Sequence, residues 1–254
     1  MLSMERYQTI ISELEKYKIV KVTQLANNLG VTEKTIRIDL ESLEKRGLLK
    51  RVHGGAILLE AEGKLLPIDE RQSAHNETKR AIAKEAIKLI KPNDTILMDG
   101  GSTTKEICKM LGDFPVSIIT NDLKIANMLD GKDNVQLIVL GGTRIPKSSS
   151  LIGAQATELL KQLRVNRLFF GTTGVSITHG LTVFNSLHAD WKKQIIKSAD
   201  HVTLVADSSK FEKVALVRFA SFTEIDEIIT DSHLNEQLKE KMNNYNVSVK
   251  IASI

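Results

Sequence analysis

Apolar residues recur at helical spacing in three short segments at the start of the chain, which predicts three amphipathic helices. The first predicted helix covers residues 4–17 and the second covers residues 22–29. Gly30 directly follows the second helix, as a left-handed C-terminal cap requires, and Thr32 is suited to cap the third. The apolar stripes are Tyr7, Ile10, Ile11 and Leu14, then Leu25, Ala26 and Leu29, then Ile36, Leu40 and Leu43.

The second and third helices, with the glycine turn between them, match the helix-turn-helix pattern, whose second helix enters a DNA major groove. An ordinary helical hairpin with solvated charges fits the same residues, because short patterns of this kind also occur by chance. The flanking sequence favours DNA binding, since residues 48–56 predict two short strands around a glycine turn, a basic wing beside the DNA backbone. The predicted DNA contacts are Thr32, Lys34, Thr35 and Arg37 on the helix, and Arg51, His53 and Gly54 on the wing.

From residue 76 onward, short continuous apolar runs alternate with helical runs. The predicted strands are residues 95–99, 116–121, 135–140, 165–170, 201–207, 225–230 and 247–251. Apolar strands with intervening helices predict a doubly wound, mostly parallel α/β sheet that is covered on both faces. We therefore expect a DNA-binding domain at residues 1–57, a polar linker at residues 58–75 and an α/β domain at residues 76–254.

Small and polar residues follow these strands, at the edge where open α/β sheets bind ligands. Residues 99–104 join a strand to a helix, and free N–H groups at a helix start favour an anion such as phosphate. The loop lacks the ending of a Walker A motif and the third glycine of a dinucleotide fingerprint. A tight turn followed by a capped helix is the alternative interpretation. The candidate ligand-binding residues are Asp99, Gly101, Ser102, Thr103, Thr104, Asn121, Gly142, Gly171, Thr172, Lys192, Asp207 and Lys210.

Several of these side chains have a specific chemical interpretation. Asp99 and Asp207 can accept hydrogen bonds from sugar hydroxyls. Lys192, which we place near the start of a helix at residues 190–198, can supply a cation or be an ordinary solvated lysine. We place His188 in a loop and expect Trp191 to serve core or interface packing. No metal-ligand pattern is present, so we expect neither a metal nor a cofactor.

Composition limits the possibilities without choosing among them. The 254 residues fit one or two domains at about 150 residues each, and a hydrophobic content of 42% is normal for a globular protein. The net charge of +4 permits nucleic-acid binding but does not demand it. The one cysteine, Cys108, is expected to be a small buried hydrophobe. Because no leader and no membrane-spanning run is evident, we expect a cytoplasmic protein without membrane contact.

Residues 4–56 resemble the winged helix-turn-helix of the DeoR family of bacterial transcription repressors. The resemblance is carried by residues 31–37, 39–40, 43–44, 47–49 and, most distinctively, 51–56. The family usually has two consecutive arginines after its Thr-Ile pair. Here the second position is Ile38, so the operator sequence is not inferred from relatives.

The resemblance extends over the second part of the chain. It is carried there by Arg71, Lys79, residues 82–83, 96–104, 119–121, 140–142, Gly153, 169–171, Gly174, 180–182, Lys192, 207–211 and 228–231. It implies a sensor domain related to ribose-5-phosphate isomerases, with residues 101–104 holding the phosphate of a phosphorylated sugar and Lys192 facing the sugar. The family tends to have Asp at Asn166 and Glu at His188. We therefore expect His188 to affect which sugar is accepted, or to contact its anionic group.

Together these observations predict a DNA-binding transcription regulator, a repressor of a sugar uptake or catabolism operon. We expect a homodimer or homotetramer that binds double-stranded operator DNA and a phosphorylated sugar effector. One alternative is a sugar-phosphate isomerase-like enzyme with a DNA-binding appendage, in which Asp99, Asp207 and Lys192 act as acid–base groups. It lacks a general-base carboxylate at the His188 position. Another is a nucleoid-type DNA binder without a ligand, which the glycine-rich sheet edge disfavours.

Overall fold

The computed structural model describes residues 3–17, 19–45, 49–58, 76–145, 148–215 and 217–254. The chain divides into two compact units at residues 1–74 and 75–254, and each has a hydrophobic core of its own. From residue 59 onward, the linker expected at residues 58–75 lies outside the described residues.

The described part of the N-terminal unit contains three helices and a three-stranded antiparallel sheet in the order β1-β3-β2. Its elements are α1 (Ser3–Tyr17), β1 (Ile19–Lys21), α2 (Val22–Leu29), α3 (Glu33–Lys45), β2 (Leu49–Val52) and β3 (Gly55–Leu58). The predicted winged helix-turn-helix is confirmed, and its wing has one strand more than predicted. β1 is only three residues long, which is too short for an alternating pattern to identify it.

The predicted apolar stripes form the core of this unit. Ile10 and Leu14 of α1 are buried together with Ile36 and Leu40 of α3. Gly30 ends α2 in the left-handed conformation at φ 62°, and the Thr35 N–H donates to Thr32 Oγ1 at 3.2 Å. The caps read from the sequence therefore set the turn between α2 and α3.

The second unit is built on a seven-stranded parallel sheet in the order β15-β14-β12-β9-β4-β5-β6. The strands are β4 (Thr95–Met98), β5 (Val116–Thr120), β6 (Val135–Val139), β9 (Val165–Phe170), β12 (Ala199–Val205), β14 (Glu227–Asp231) and β15 (Ser248–Ala252). The helices are α4 (Asn76–Ile87), α5 (Ser102–Leu111), α6 (Leu123–Leu129), α7 (Ala154–Leu160), α8 (Ser186–Ser198) and α9 (Glu236–Asn243). The predicted α/β class is confirmed, and every strand lies within two residues of its predicted bounds.

Two clusters of buried side chains cover the two faces of this sheet. Leu97 and Leu168 belong to one cluster, whereas Ile96, Met98 and Phe169 belong to the other. Successive strand residues point to opposite faces, so continuous apolar strands are what a sheet covered on both sides requires.

Two small antiparallel elements lie outside the main sheet and were missed by the sequence analysis. β7 (Thr143–Arg144) pairs with β8 (Leu151–Ile152), and β10 (Gly174–Ser176), β11 (Gly180–Val183) and β13 (Val217–Ala220) form a three-stranded sheet. β7, β8 and β10 have only two or three residues, which is too few for periodicity to identify a strand.

Candidate functional site

The parallel sheet has a topological switch point between β4 and β9. On one side of this point, β5 and β6 extend the sheet from β4. On the other side, β12, β14 and β15 extend it from β9. Open α/β sheets bind ligands outside the carboxyl ends of their strands at such a point. Asp99 follows β4 and Gly171 follows β9, so both lie where a ligand is expected.

A buried ion pair occupies this position. Lys192 Nζ donates to Asp99 Oδ2 and, at 2.8 Å, to the Gly171 carbonyl oxygen, while Trp191 Nε1 donates to Asp99 Oδ1 at 3.0 Å. Lys192 is 6% exposed and Asp99 is 3% exposed. The ammonium also lies 5.6 Å from the ring centroids of Phe170 and Phe219, where aromatic faces attract a cation. These contacts connect the ends of β4 and β9 to α8 and fix one positive charge at the switch point.

The start of α8 was predicted wrongly, which changes the setting of two candidate residues. α8 begins at Ser186 rather than Asp190, because Asn185 Oδ1 accepts the N–H groups of Leu187 at 2.8 Å and His188 at 3.4 Å. His188 is therefore half-buried in the first turn of a helix and is not a loop residue. Lys192 lies in the second turn instead of at the helix start.

The loop after β4 leads into α5 without a side-chain cap at Gly101. Ser102 and Thr103 lie in the first turn, so its backbone N–H groups are suited to an anion. Thr104 plays a different part, because it is fully buried and its Oγ1 donates to the Asp99 carbonyl oxygen at 2.7 Å. The Thr104 hydroxyl therefore stabilises the loop between β4 and α5 and is not available to a ligand as a donor.

Asp122, Ser149 and Ser150 also belong to this edge and were not predicted from the sequence, whereas Gly100 lies in the predicted loop. A Cβ atom at Gly100 would lie 2.6 Å from both Asp122 Oδ2 and Ser150 Oγ, so the loop packs closely against them. Asp122 Oδ1 caps α6 through the Lys124 N–H at 2.9 Å, and its Oδ2 accepts from Ser149 Oγ at 2.5 Å. The serines come from the segment before β8, which a linear motif search does not connect with β4.

Asn121 and Gly142 follow β5 and β6 on the same edge. Asn121 is fully buried and its Nδ2 donates to the Leu151 carbonyl oxygen at 3.1 Å, whereas its Oδ1 has no hydrogen-bond partner in the described part of the chain. Gly142 adopts φ 130°, and a Cβ there would lie 2.8 Å from the backbone of Ile152. Gly142 therefore permits the close approach of β8, and Asn121 offers an unused acceptor.

The remaining candidates lie on the β9 and β12 side of the switch point. Thr172 Oγ1 lies 2.9 Å from the Thr182 carbonyl oxygen, to which it donates. Asp207 is buried and caps a short 3-10 helix (Ser208–Lys210), accepting the Ser209 N–H at 3.1 Å. Lys210 is half-buried in that turn. The structure thus brings the candidates to one edge, where Lys192 contacts both Asp99 and Gly171, and Thr104 contacts both Asp99 and Gly101.

The predicted DNA-contacting residues of α3 face away from the core of their unit. Thr32, Lys34 and Arg37 are exposed, whereas Thr35 is half-buried next to its cap. Arg37 pairs with Glu33 at 2.6 Å, one helical turn earlier. The exposed surface of α3 also carries Ile38, the position at which the chain departs from the family pattern.

Hydrogen bonds at Arg51 and Gly54 join the wing to the helices. Arg51 donates from its backbone N–H at 2.7 Å and from Nε at 2.9 Å to Glu44 of α3. The Gly54 carbonyl oxygen accepts the Val22 N–H at 2.9 Å, and Gly54 adopts φ 78° in the exposed turn that also contains His53. Arg51 and Gly54 thus fix the wing in place, and His53 is exposed at its tip.

Among the described residues, no group of three or more His, Cys, Asp or Glu side chains is arranged to hold a metal ion. No helix in this part of the chain is both long and apolar enough to cross a membrane.

Comparison with known proteins matches both units to family models. The model described as the DeoR C terminal sensor domain matches residues 74–232, and the model described as the DeoR-like helix-turn-helix domain matches residues 6–62. The uncharacterized HTH-type transcriptional regulator YulB of Bacillus subtilis is 36% identical, with 92% of this chain and 91% of that protein covered.

Two other relatives have more specific names. The putative aga operon transcriptional repressor of Escherichia coli O157:H7 is 30% identical over 96% of this chain and 92% of its own length. The L-fucose operon activator of Haemophilus influenzae is 30% identical over 92% of this chain and 94% of its own length. Among solved structures, ribose 5-phosphate isomerase A of Methanocaldococcus jannaschii aligns at a TM-score of 0.41 and 20% identity, over 54% of this chain and 55% of that one.

Proposed function

Because the chain belongs to the DeoR family of helix-turn-helix transcriptional regulators, we propose that a phosphorylated sugar bound at the sheet edge controls its affinity for operator DNA. The chain is a DNA-binding regulator, and the relatives described above are named as regulators rather than enzymes. One of those names refers to a sugar operon and another to a repressor. We therefore propose repression of an operon for sugar uptake or catabolism.

The buried Lys192 ammonium is the observation that carries this proposal. An ammonium has three N–H donors, and Asp99 and Gly171 accept two of them among the described residues. One donor is left for a ligand oxygen. A hydrogen bond from this buried ammonium to an anionic oxygen is charge-assisted, and little water screens it.

The neighbouring groups suit the two halves of a sugar phosphate. The uncapped first turn of α5, with Ser102 and Thr103, offers backbone N–H groups and hydroxyls to a phosphate. Asn121 Oδ1 and Asp207 offer oxygen acceptors for sugar hydroxyls. His188, half-buried in the same helix as Lys192, contributes to the choice among sugars.

Isothermal titration calorimetry with sugar phosphates, the matching free sugars and inorganic phosphate tests this assignment. We expect one sugar phosphate to bind and its free sugar to bind at least tenfold more weakly, since a charge-assisted hydrogen bond is worth about 1.5–3 kcal/mol. Lys192→Met removes the buried cation and is expected to abolish binding. Lys193→Met is the matched control, because Lys193 is exposed and pairs with Asp190 at 3.5 Å. Equal affinities for the phosphate and the free sugar would refute the proposal.

Control of DNA binding requires that the ligand distinguish two arrangements of the regulator. Helix-turn-helix dimers bind paired half-sites about one DNA turn apart, so the spacing of the DNA-binding units decides affinity. We propose a homodimer or homotetramer in which the bound sugar phosphate changes that spacing. Sedimentation equilibrium tests the assembly, and a monomer at every concentration would contradict it.

A further inference from the structure

Ile38 is an apolar residue in the middle of the exposed face of α3. It is 56% exposed, on the same side of the helix as Lys34 and Glu41, four residues before it and three after it. The opposite face of α3 carries Ile36, Leu40 and Leu43, which are buried in the core of the unit. Ile38, in the second turn of the predicted recognition helix, therefore faces away from the core of the unit.

We propose that Ile38 contacts the C5-methyl group of a thymine in the operator and so selects an A·T pair at that position. The inference rests on the proposed DNA-binding role of α3 and adds a base preference to it. The thymine methyl is the apolar group that base pairs present in the major groove. Against a guanine, cytosine or adenine edge, an isoleucine would exclude water from polar groups without replacing their hydrogen bonds.

The rotational setting of α3 is fixed by the residue that follows Ile38. Asp39 is 2% exposed and accepts two hydrogen bonds from Arg6 of α1, with Nε at 2.7 Å and Nη2 at 3.0 Å. Because Asp39 points into the unit, Ile38 points outward. The side chain is also β-branched, so it loses little rotamer freedom on binding.

The residue before Ile38 provides a chemical contrast. Arg37 is charged, and a contact between its guanidinium and a phosphate makes binding weaken as salt rises. Ile38 carries no charge, so its contribution does not depend on salt. Substitution at the two positions therefore separates base recognition from phosphate contact.

The experiment uses the full-length chain and duplexes selected by it from a random DNA library. Each thymine of the selected site is replaced in turn by uracil, which lacks only the methyl group, and the dissociation constant is measured at fixed salt. At one thymine in each half-site, uracil is expected to weaken wild-type binding about fourfold, as the loss of one buried methyl predicts. The same replacement is expected to leave the affinity of Ile38→Ala unchanged.

Two controls distinguish this contact from general effects. Ile19→Ala removes another exposed isoleucine of the same unit and is expected to keep the wild-type response to uracil. Ile38→Ala should retain the wild-type slope of log affinity against log salt, whereas Arg37→Ala should reduce that slope by about one.

The outcomes separate this inference from the proposed function. If wild-type chain selects a specific duplex but every uracil affects wild type and Ile38→Ala equally, the thymine contact is refuted and the DNA-binding function stands. If no specific duplex is selected, operator binding and the thymine contact fall together.

Discussion

The indole Nε1 of Trp191 donates to one oxygen of Asp99 at 3.0 Å, and the other oxygen of that carboxylate accepts from Lys192. Trp191 is the single tryptophan of the chain. The candidate effector site therefore contains a natural fluorescence reporter. This hydrogen bond was not predictable, because Asp99 and Trp191 lie far apart in sequence and Trp191 was expected only to pack.

A sugar phosphate that binds beside Lys192 is expected to change the emission of Trp191, since it alters the charge next to the indole. Fluorescence titration should give the same dissociation constant as calorimetry. Lys193→Met should keep the signal and Lys192→Met should lose it. Calorimetric binding without any change in emission would place the ligand elsewhere.

The Lys192–Asp99 pair is expected to contribute to stability as a unit. Removing one partner leaves the other buried without its counter-charge, which destabilises by about 3–5 kcal/mol. Lys192→Met and Asp99→Leu should each lower the urea concentration at which the second unit, residues 75–254, is half unfolded. Trp191 emission measures this unfolding. The double substitution should lower that concentration less than the sum of the two. Additive effects would mean that the two charges do not interact.

The sequence revealed most of the fold because burial on both sheet faces dictates continuous apolar strands. It also predicted which edge of the sheet carries the candidate site, since glycines and hydroxyl residues follow several strands. It could not show that Asp99 pairs with Lys192, because that contact depends on how α8 packs across the switch point. It also misplaced the start of α8, where the Asn185 cap was mistaken for part of a loop.

The wing offers a test of local packing through two adjacent glycines. A Cβ at Gly55 would lie 2.0 Å from the Val20 carbonyl oxygen, whereas a Cβ at Gly54 meets no atom within 4 Å. Gly55→Ala is therefore expected to disrupt the β1–β3 pairing and lower DNA affinity. Gly54→Ala, which adds only the strain of φ 78°, should have a smaller effect. Thermal melts and gel shifts measure both, and equal losses would contradict the described register.

Cys108 is expected to be chemically inert in the folded chain. Burial raises the pKa of its thiol well above the ordinary value, so little thiolate is present at pH 8. A disulfide reagent such as Ellman's should react only when the sensor unit unfolds in guanidinium. Fast reaction of the native chain at pH 8 would show that α5 opens or is packed differently.

The coupling between operator and effector tests the central claim most directly. The operator dissociation constant is measured with and without saturating sugar phosphate, and the sugar-phosphate dissociation constant is measured with and without saturating operator, at one salt concentration. Linkage requires both ratios to be equal, and we expect a factor of about 5–150. An operator affinity that stays the same at saturating sugar phosphate would contradict the account.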